Sequence, residues 1–289
     1  MLEYLIDLKT ALKSPLTLFA VVILLTLVAI AISIALFYDY SSVLSCAFLT
    51  LFLTPLFLKL FEWEEVRIAH EKSGLLSRHA PALRIYCTSF LATIVAYYFT
   101  FVFSPQAIRD YLFAKQLSEI RRIASISTGS FVSFDLARII FANNTLVLLT
   151  TFLMSFLFGS GAIFILTWNA SIIATYAGLA ALAGKKELLQ LTLALSKSLA
   201  SIALHGIPEL LGYFFAGLAG GILGASARVK ASDLAAKKAI LLDSLTLLAV
   251  GEFSIFVGAF IESGVAIFSL IAFVAYMTFI LTFMAAQRK

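Results

Sequence analysis

The sequence predicts an all-α fold, a polytopic transmembrane helical bundle of about eight spans with interfacial amphipathic helices. Three observations lead there. Of 289 residues, 62% are hydrophobic and 13% charged, with mean hydropathy +1.03, whereas soluble domains run roughly half apolar and a quarter charged. Apolar runs of about 18 residues or more recur, each long enough to cross hydrocarbon of about 30 Å as a helix. Between them lie short segments rich in Lys and Arg, some patterned with helical rather than strand period.

In chain order, the expected spans are 16–37, 43–58, 83–103, 145–166, 170–183, 207–227, 239–261 and 264–283. The first begins too far in, runs too long and lacks an A-x-A site, so it is expected to be a span and not a cleaved signal. The fifth is short. Residues 188–204 form a ninth apolar stretch, but Gln190, Lys197 and several serines favour an interfacial or re-entrant segment over a full span. Cys46 and Cys87 fall inside apolar runs and read as small buried side chains.

Two connecting regions carry pattern. Across 104–143, Ile108, Leu112, Phe113, Leu117, Ile120 and Ala124 share one helical face, with Arg109, Lys115, Arg121 and Arg122 largely elsewhere. A basic amphipathic helix of this kind lies in the membrane interface. Pro105 suits its first turn. A second helix is expected to start near Ser133 as N-cap, with Asp135 in its first turn, and to lead into Asn143 and Asn144. The region 61–79, EWEEVRIAHEKSGLLSRH and its flanks, mixes both charge signs. It reads as a solvated loop with a short surface helix stopping near Gly74.

Orientation follows from cationic side chains, which favour the cytoplasmic side. With the N-terminus inside, 13 of the 21 Lys and Arg residues fall inside and 8 outside, so both termini are expected in the cytoplasm of a multi-pass cell-membrane protein. Five of the outside cations sit in 104–143, a segment long enough to cross regardless of charge. The expected organisation is an N-terminal pair of spans with a cytoplasmic loop over 1–82, a membrane core over 83–261 with its outward segment at 104–143, and a last span over 262–289.

Polar residues in apolar surroundings are the candidate site. In HGIPELLGYFFAGLAGG, residues 205–221, Pro208 suits a first helical turn, Gly206 permits a turn before it, and Glu209 follows where a helix dipole favours a carboxylate. A helix start with a His205–Glu209 hydrogen bond is the simplest reading. A metal site would need His205 and Glu209 on one face plus a third ligand; His70 and His79 are expected on the opposite side, so no metal is assigned. Gly212, Ala216, Gly220 and Gly224 recur every four residues, as do Gly217 and Gly221, and Ala170, Ala174 and Gly178. Small residues so spaced let another helix approach closely, within the chain or in a homodimer. Gly159 and Gly161 can bend the fourth span, and Asn169 can cap the fifth. Glu252 lies deep in its span; an intramembrane carboxylate is paired, protonated or on an ion path, and Glu209, Lys197 and His205 are its candidate partners.

These residues carry a resemblance. NN…LLTTFLMSFLFGSGAIFILTWNASII, followed by HGIPELLGYFFAGLAGGI, resembles the stage II sporulation protein M (SpoIIM) family over about residues 83–261, most of all its archaeal members with two added N-terminal spans. The resemblance implies an integral membrane protein whose outward amphipathic segment lies between the first and second core spans. In sporulating bacteria the family member anchors a cell-wall-remodelling complex at the membrane. The residues matching its motifs are Asn144, Gly159, Gly161, Asn169, His205, Gly206, Pro208, Glu209 and Gly220, and no catalytic role follows for them.

No P-loop, G-x-G-x-x-G, G-x-S-x-G or H-E-x-x-H occurs, so soluble enzyme chemistry has no motif here. The net charge of +5 suits loops near anionic headgroups and requires no nucleic acid. The expected function is a non-enzymatic envelope scaffold, without cofactor, in contact with membrane lipid, envelope partners and a second copy. The alternative is a transporter-like subunit with a polar path near Glu209, Lys197 and Glu252.

Overall fold

A computed structural model describes residues 7–70, 74–128, 134–182, 187–228, 234–264, 271 and 274–278. Among these the secondary structure is helical throughout. The helices are α1 (Leu8–Lys13), α2 (Pro15–Leu36), α3 (Ser41–His70), α4 (Leu75–Phe103), α5 (Gln106–Leu112), α6 (Ala114–Thr128), α7 (Phe134–Phe158), α8 (Gly161–Leu182), α9 (Leu188–Arg228) and α10 (Leu234–Glu262). Seven of them are long and apolar enough to cross a membrane: α2, α3, α4, α7, α8, α9 and α10. Most of the expected eighth span, 264–283, lies outside the described residues. A helix satisfies every backbone amide internally, the condition hydrocarbon imposes on a spanning segment.

Local chemistry sets several ends. At α2, Ser14 accepts from the Thr17 amide at 3.3 Å and Pro15 takes the first position, where its missing N–H costs nothing. Pro105 is the N-cap of α5, just before the first turn expected for it. The turn between α7 and α8 is made at Gly159, whose φ of 70° is a left-handed conformation that most other residues adopt only with strain.

Several boundaries depart from expectation. The fourth span ends at Phe158, not 166, and α8 is a full 22 residues. Asn169 therefore sits within α8, donating to the Ile165 carbonyl at 2.8 Å, and is not the cap of a following helix. The second amphipathic helix and the fourth span are one helix, α7, so Asn143 and Asn144 lie inside it; its expected cap, Ser133, lies outside the described residues. The region 61–79 is made of the end of α3 and the start of α4, parting near Gly74 as expected.

The largest departure is α9, a single helix of 41 residues, roughly 61 Å long at 1.5 Å per residue. It absorbs both 188–204 and 207–227, so the former is not a separate re-entrant segment. Pro208 lies inside it. Proline removes only one helical hydrogen bond, and membrane helices tolerate that loss where neighbouring helices support them.

The chain forms two compact units. The first comprises Met1–Pro55, Ile85–Gly129 and Ile163–Ala203, and the second Leu56–Arg84, Ser130–Ala162 and Leu204–Lys289. In the first, α2 buries Leu18, Val22, Leu25 and Ala29, a helical stripe. There the Phe101 ring meets Phe113 edge-on with centroids 4.9 Å apart, and a Cβ on Gly178 would strike it. Gln116 on α6, fully buried, donates to the Ser42 carbonyl at 3.0 Å and to Ser171 Oγ at 3.1 Å. The Tyr97 hydroxyl donates to Ser45 Oγ at 2.9 Å and that of Tyr98 to the Leu191 carbonyl at 2.6 Å.

In the second unit, α7 and α10 pack along each other and the C-terminal half of α9 joins both. A Cβ on Gly220 would collide with the Phe152 carbonyl, and one on Gly224 with that of Phe156. On Gly212 it would stand 2.9 Å from the Gly251 carbonyl of α10. Ser155 of α7 donates to the Gly217 carbonyl at 2.7 Å. The small-residue row of α9, with Ala216 fully buried, is thus occupied by helices of the same chain. On the far side of α7, Leu146, Leu149, Leu153 and Leu157 are exposed, an apolar stripe suited to lipid.

Candidate functional site

Three consecutive residues of α7 organise the polar end of the second unit. Asn143 Nδ2 donates to Asn144 Oδ1 at 3.2 Å, Asn144 Nδ2 donates to Glu209 Oε1 of α9 at 2.7 Å, and Thr145 Oγ1 donates to Glu252 Oε1 of α10 at 2.6 Å. Successive residues of a helix point about 100° apart, so α7 can hand one donor to each of two neighbours. Glu262, exposed at the end of α10, neighbours the Glu209 carboxyl. The His205 carbonyl lies 3.1 Å from where a Cβ on Gly258 would stand.

This arrangement answers several expectations. His205 and Glu209 do share a helical face as i and i+4, but the Glu209 carboxyl takes its hydrogen bond from Asn144 and not from His205. A Cβ on Gly206 would meet nothing within 4 Å, and the residue sits within a continuous helix, so it makes no turn. Glu252 is partnered by Thr145, which none of the expected candidates anticipated. Lys197 is an exposed residue of the first unit. Gly159 makes the α7–α8 turn. Gly161 follows it at the start of α8, with the Met154 carbonyl 2.5 Å from where its Cβ would be. Among the described residues no three His, Cys, Asp or Glu side chains converge to hold a metal.

A second polar cluster lies in the same unit. Along α10, Asp243 stands 9 residues before Glu252 and 19 before Glu262, roughly 14 and 28 Å along a helix, so it lies towards the other end of that helix. His79 of α4 and Glu64 of α3 are both fully buried, with Nδ1 and Oε2 2.6 Å apart. His79 Nε2 faces Asp243 Oδ2 at 3.6 Å. Arg78 donates to the same Asp243 carboxylate. Arg67 lies 3.5 Å from Glu64 Oε1, donates to the Arg78 carbonyl at 2.6 Å, and stacks over the Trp63 ring at 4.4 Å. The expected solvated loop is therefore in part a buried ion network joining three helices.

The sequence held a signal for this cluster. Glu64 falls on the stripe Leu60, Phe61 and Ile68, and His79 on the stripe Leu75, Ala82 and Tyr86, all buried; polar residues at core positions of a helix mark buried pairs. Gln116 likewise sits between Phe113 and Leu117 on the apolar face of α6.

The amphipathic helix α6 keeps its basic face exposed. Arg122 clasps Glu119 through three contacts of 2.6 to 3.1 Å, and the guanidinium holds that carboxyl below its ordinary range. Lys115 and Arg121 are also exposed.

Comparison with known proteins gives one match. The family model described as Stage II sporulation protein M matches residues 86–267. No curated protein and no solved structure matches the chain.

Proposed function

From its place in the stage II sporulation protein M family, to which this chain belongs, and from the seven apolar helices among its described residues, we propose that this integral membrane protein works as a non-enzymatic scaffold. It holds partner proteins, a second copy among them, at the cell membrane, with both termini in the cytoplasm and α6 outward. The observation that carries this reading is how the polar end of the second unit is used. Glu209 and Glu252 are each engaged by a donor from α7, and the helices around them approach through glycines that leave no room for a Cβ. Such packing suits a rigid platform. The exposed basic face of α6, fastened to the first unit by buried Gln116, is the surface offered to partners. A second copy would use a face other than the Gly212–Gly224 row, which α7 and α10 cover.

The test is a photo-crosslinking side chain placed at position 115, 119 or 122 in the cells that make the protein. A discrete adduct with another envelope protein or a second copy is expected. No adduct from any position, with the protein folded and abundant, sinks the reading. A transporter-like role instead needs solute or ion flux in proteoliposomes that Glu252→Gln abolishes without unfolding the protein.

A further inference from the structure

The second unit holds a groove of about 300 Å³ along the last turns of α10. It is lined by Phe134, the first residue of α7, by Phe253, Phe256, Val257 and Phe260 of α10, and by Ile271 from the segment beyond. Among the described residues its walls are wholly apolar. The rings brace one another. Phe134 meets Phe260 edge-on with centroids 6.3 Å apart, Phe141 meets Phe256 edge-on at 5.7 Å, and Phe256 lies tilted 4.6 Å from Phe260. The buried Tyr276 leans on Phe253 at 6.3 Å. Edge-on and offset contacts are the arrangements aromatic rings favour, so the walls are fixed by the packing of three elements. Phe134, Phe256 and Ile271 are exposed at the rim, while Val257 is buried at the floor.

We propose that this groove binds one hydrocarbon chain of a membrane lipid. Lipid tails are as apolar as leucine, so no transfer from water draws a chain in. Dispersion does: ring faces lining a void forfeit the contacts that an occupant restores. The volume stands at the lower end of small-ligand pockets, roughly 300–1,000 Å³. Phe253 and Phe260 are seven residues apart, so the groove runs roughly 10 Å along its helix. A slender, flexible chain fits such a slot, whereas a helix of about 10–12 Å diameter does not enter it. A second copy needs roughly 800 Å² from each partner for a stable interface, far more than a slot two turns long supplies. The exposed charges next to these rings in sequence are Asp135, Arg138 and Glu262. They are of both signs, so the chain and not the headgroup is what the groove recognises. The inference needs only that α7 and α10 face lipid, and it is independent of the scaffold role.

The test is photolabelling in nanodiscs of phosphatidylcholine that contain a trace of the same lipid with a diazirine in one acyl chain. Adducts are mapped by mass spectrometry. The exposed stripe Leu146, Leu149, Leu153 and Leu157 of α7 reports contact with bulk lipid. The expected result is labelling at Phe253 and Val257 above that of the stripe, although Val257 is buried and the stripe is not. Ala275 lines the groove and is exposed, so Ala275→Trp fills the slot from its rim. It should abolish labelling at Phe253 and Val257 and leave the stripe unchanged. Should Ala275→Trp fail to fold, Ala275→Leu replaces it, with partial loss expected. Groove labelling no stronger than the stripe, or labelling that the folded variant retains, overturns the proposal. A variant that changes the number of copies per nanodisc and not the labelling assigns the groove to a second copy and overturns it equally.

Discussion

Asn144 Nδ2 donates to Glu209 Oε1 across 2.7 Å, joining two helices whose residues stand 65 apart in the chain. Asn144→Leu should leave that half-buried carboxyl, beside Glu262, without its donor, which costs about 1–3 kcal/mol. Thermal denaturation in detergent checks this, and an unchanged Tm would refute the pairing. Asn144→Leu combined with Glu209→Leu should recover part of the loss, because removing both partners leaves no orphan.

Thr145 and Glu252 form the companion pair, and the two partners should respond differently. Glu252→Gln keeps an oxygen for the Thr145 hydroxyl and should cost less than about 1 kcal/mol. Thr145→Val strands the carboxyl and should cost about 1–3 kcal/mol. If Glu252→Gln proves the worse of the two, the carboxylate charge matters in itself and the transporter-like reading gains.

Gly220 meets the Phe152 carbonyl where its side chain would be. Gly220→Leu must push α9 from α7, and backbone cannot give way as a flexible side chain can, so a loss of about 3 kcal/mol or more is expected. Gly206→Ala is the control: its Cβ meets nothing within 4 Å, and alanine favours a helix over glycine by up to about 1 kcal/mol. Comparing folded yield and Tm of the two variants tests the packing directly.

Gly159 ends α7 at φ 70°. Gly159→Ala should destabilise by about 1–2 kcal/mol through backbone strain alone. Gly159→Asn should cost less, because asparagine visits this conformation more readily. Equal losses for the two would mean that the space around the turn, and not its dihedral, sets the cost.

Orientation is tested by labelling. A cysteine at position 115, in a chain otherwise bearing only Cys46 and Cys87, should react with an impermeant reagent in intact cells. Reaction only after lysis would invert the orientation and place the His79 cluster outside.

The spans were legible because apolar composition over about 20 residues is a property of the segment itself. The spacing of Gly212, Gly220 and Gly224 likewise announced close helix contact, though not which helix. The α7–α8 turn lies several residues earlier than the sequence suggests, because Asn169 reads as a helix cap while the positive φ at Gly159 makes the turn there. Pro208 reads as a helix start by its local preference; the packing that carries a helix through it is not visible in sequence. The region 61–79 was read by its charge content, whereas burial depended on which face of each helix held Glu64 and His79.

By itself, then, the sequence determined the solvent of this chain and the helices that solvent demands, because hydrocarbon acts on each segment through composition and backbone hydrogen bonding. Only the tertiary structure decided the partners: Asn144 for Glu209, Thr145 for Glu252, Glu64 for His79. A polar group withdrawn from water must pair with whatever donor or acceptor stands within about 3 Å. That distance is set by how helices far apart in the chain come to lie side by side.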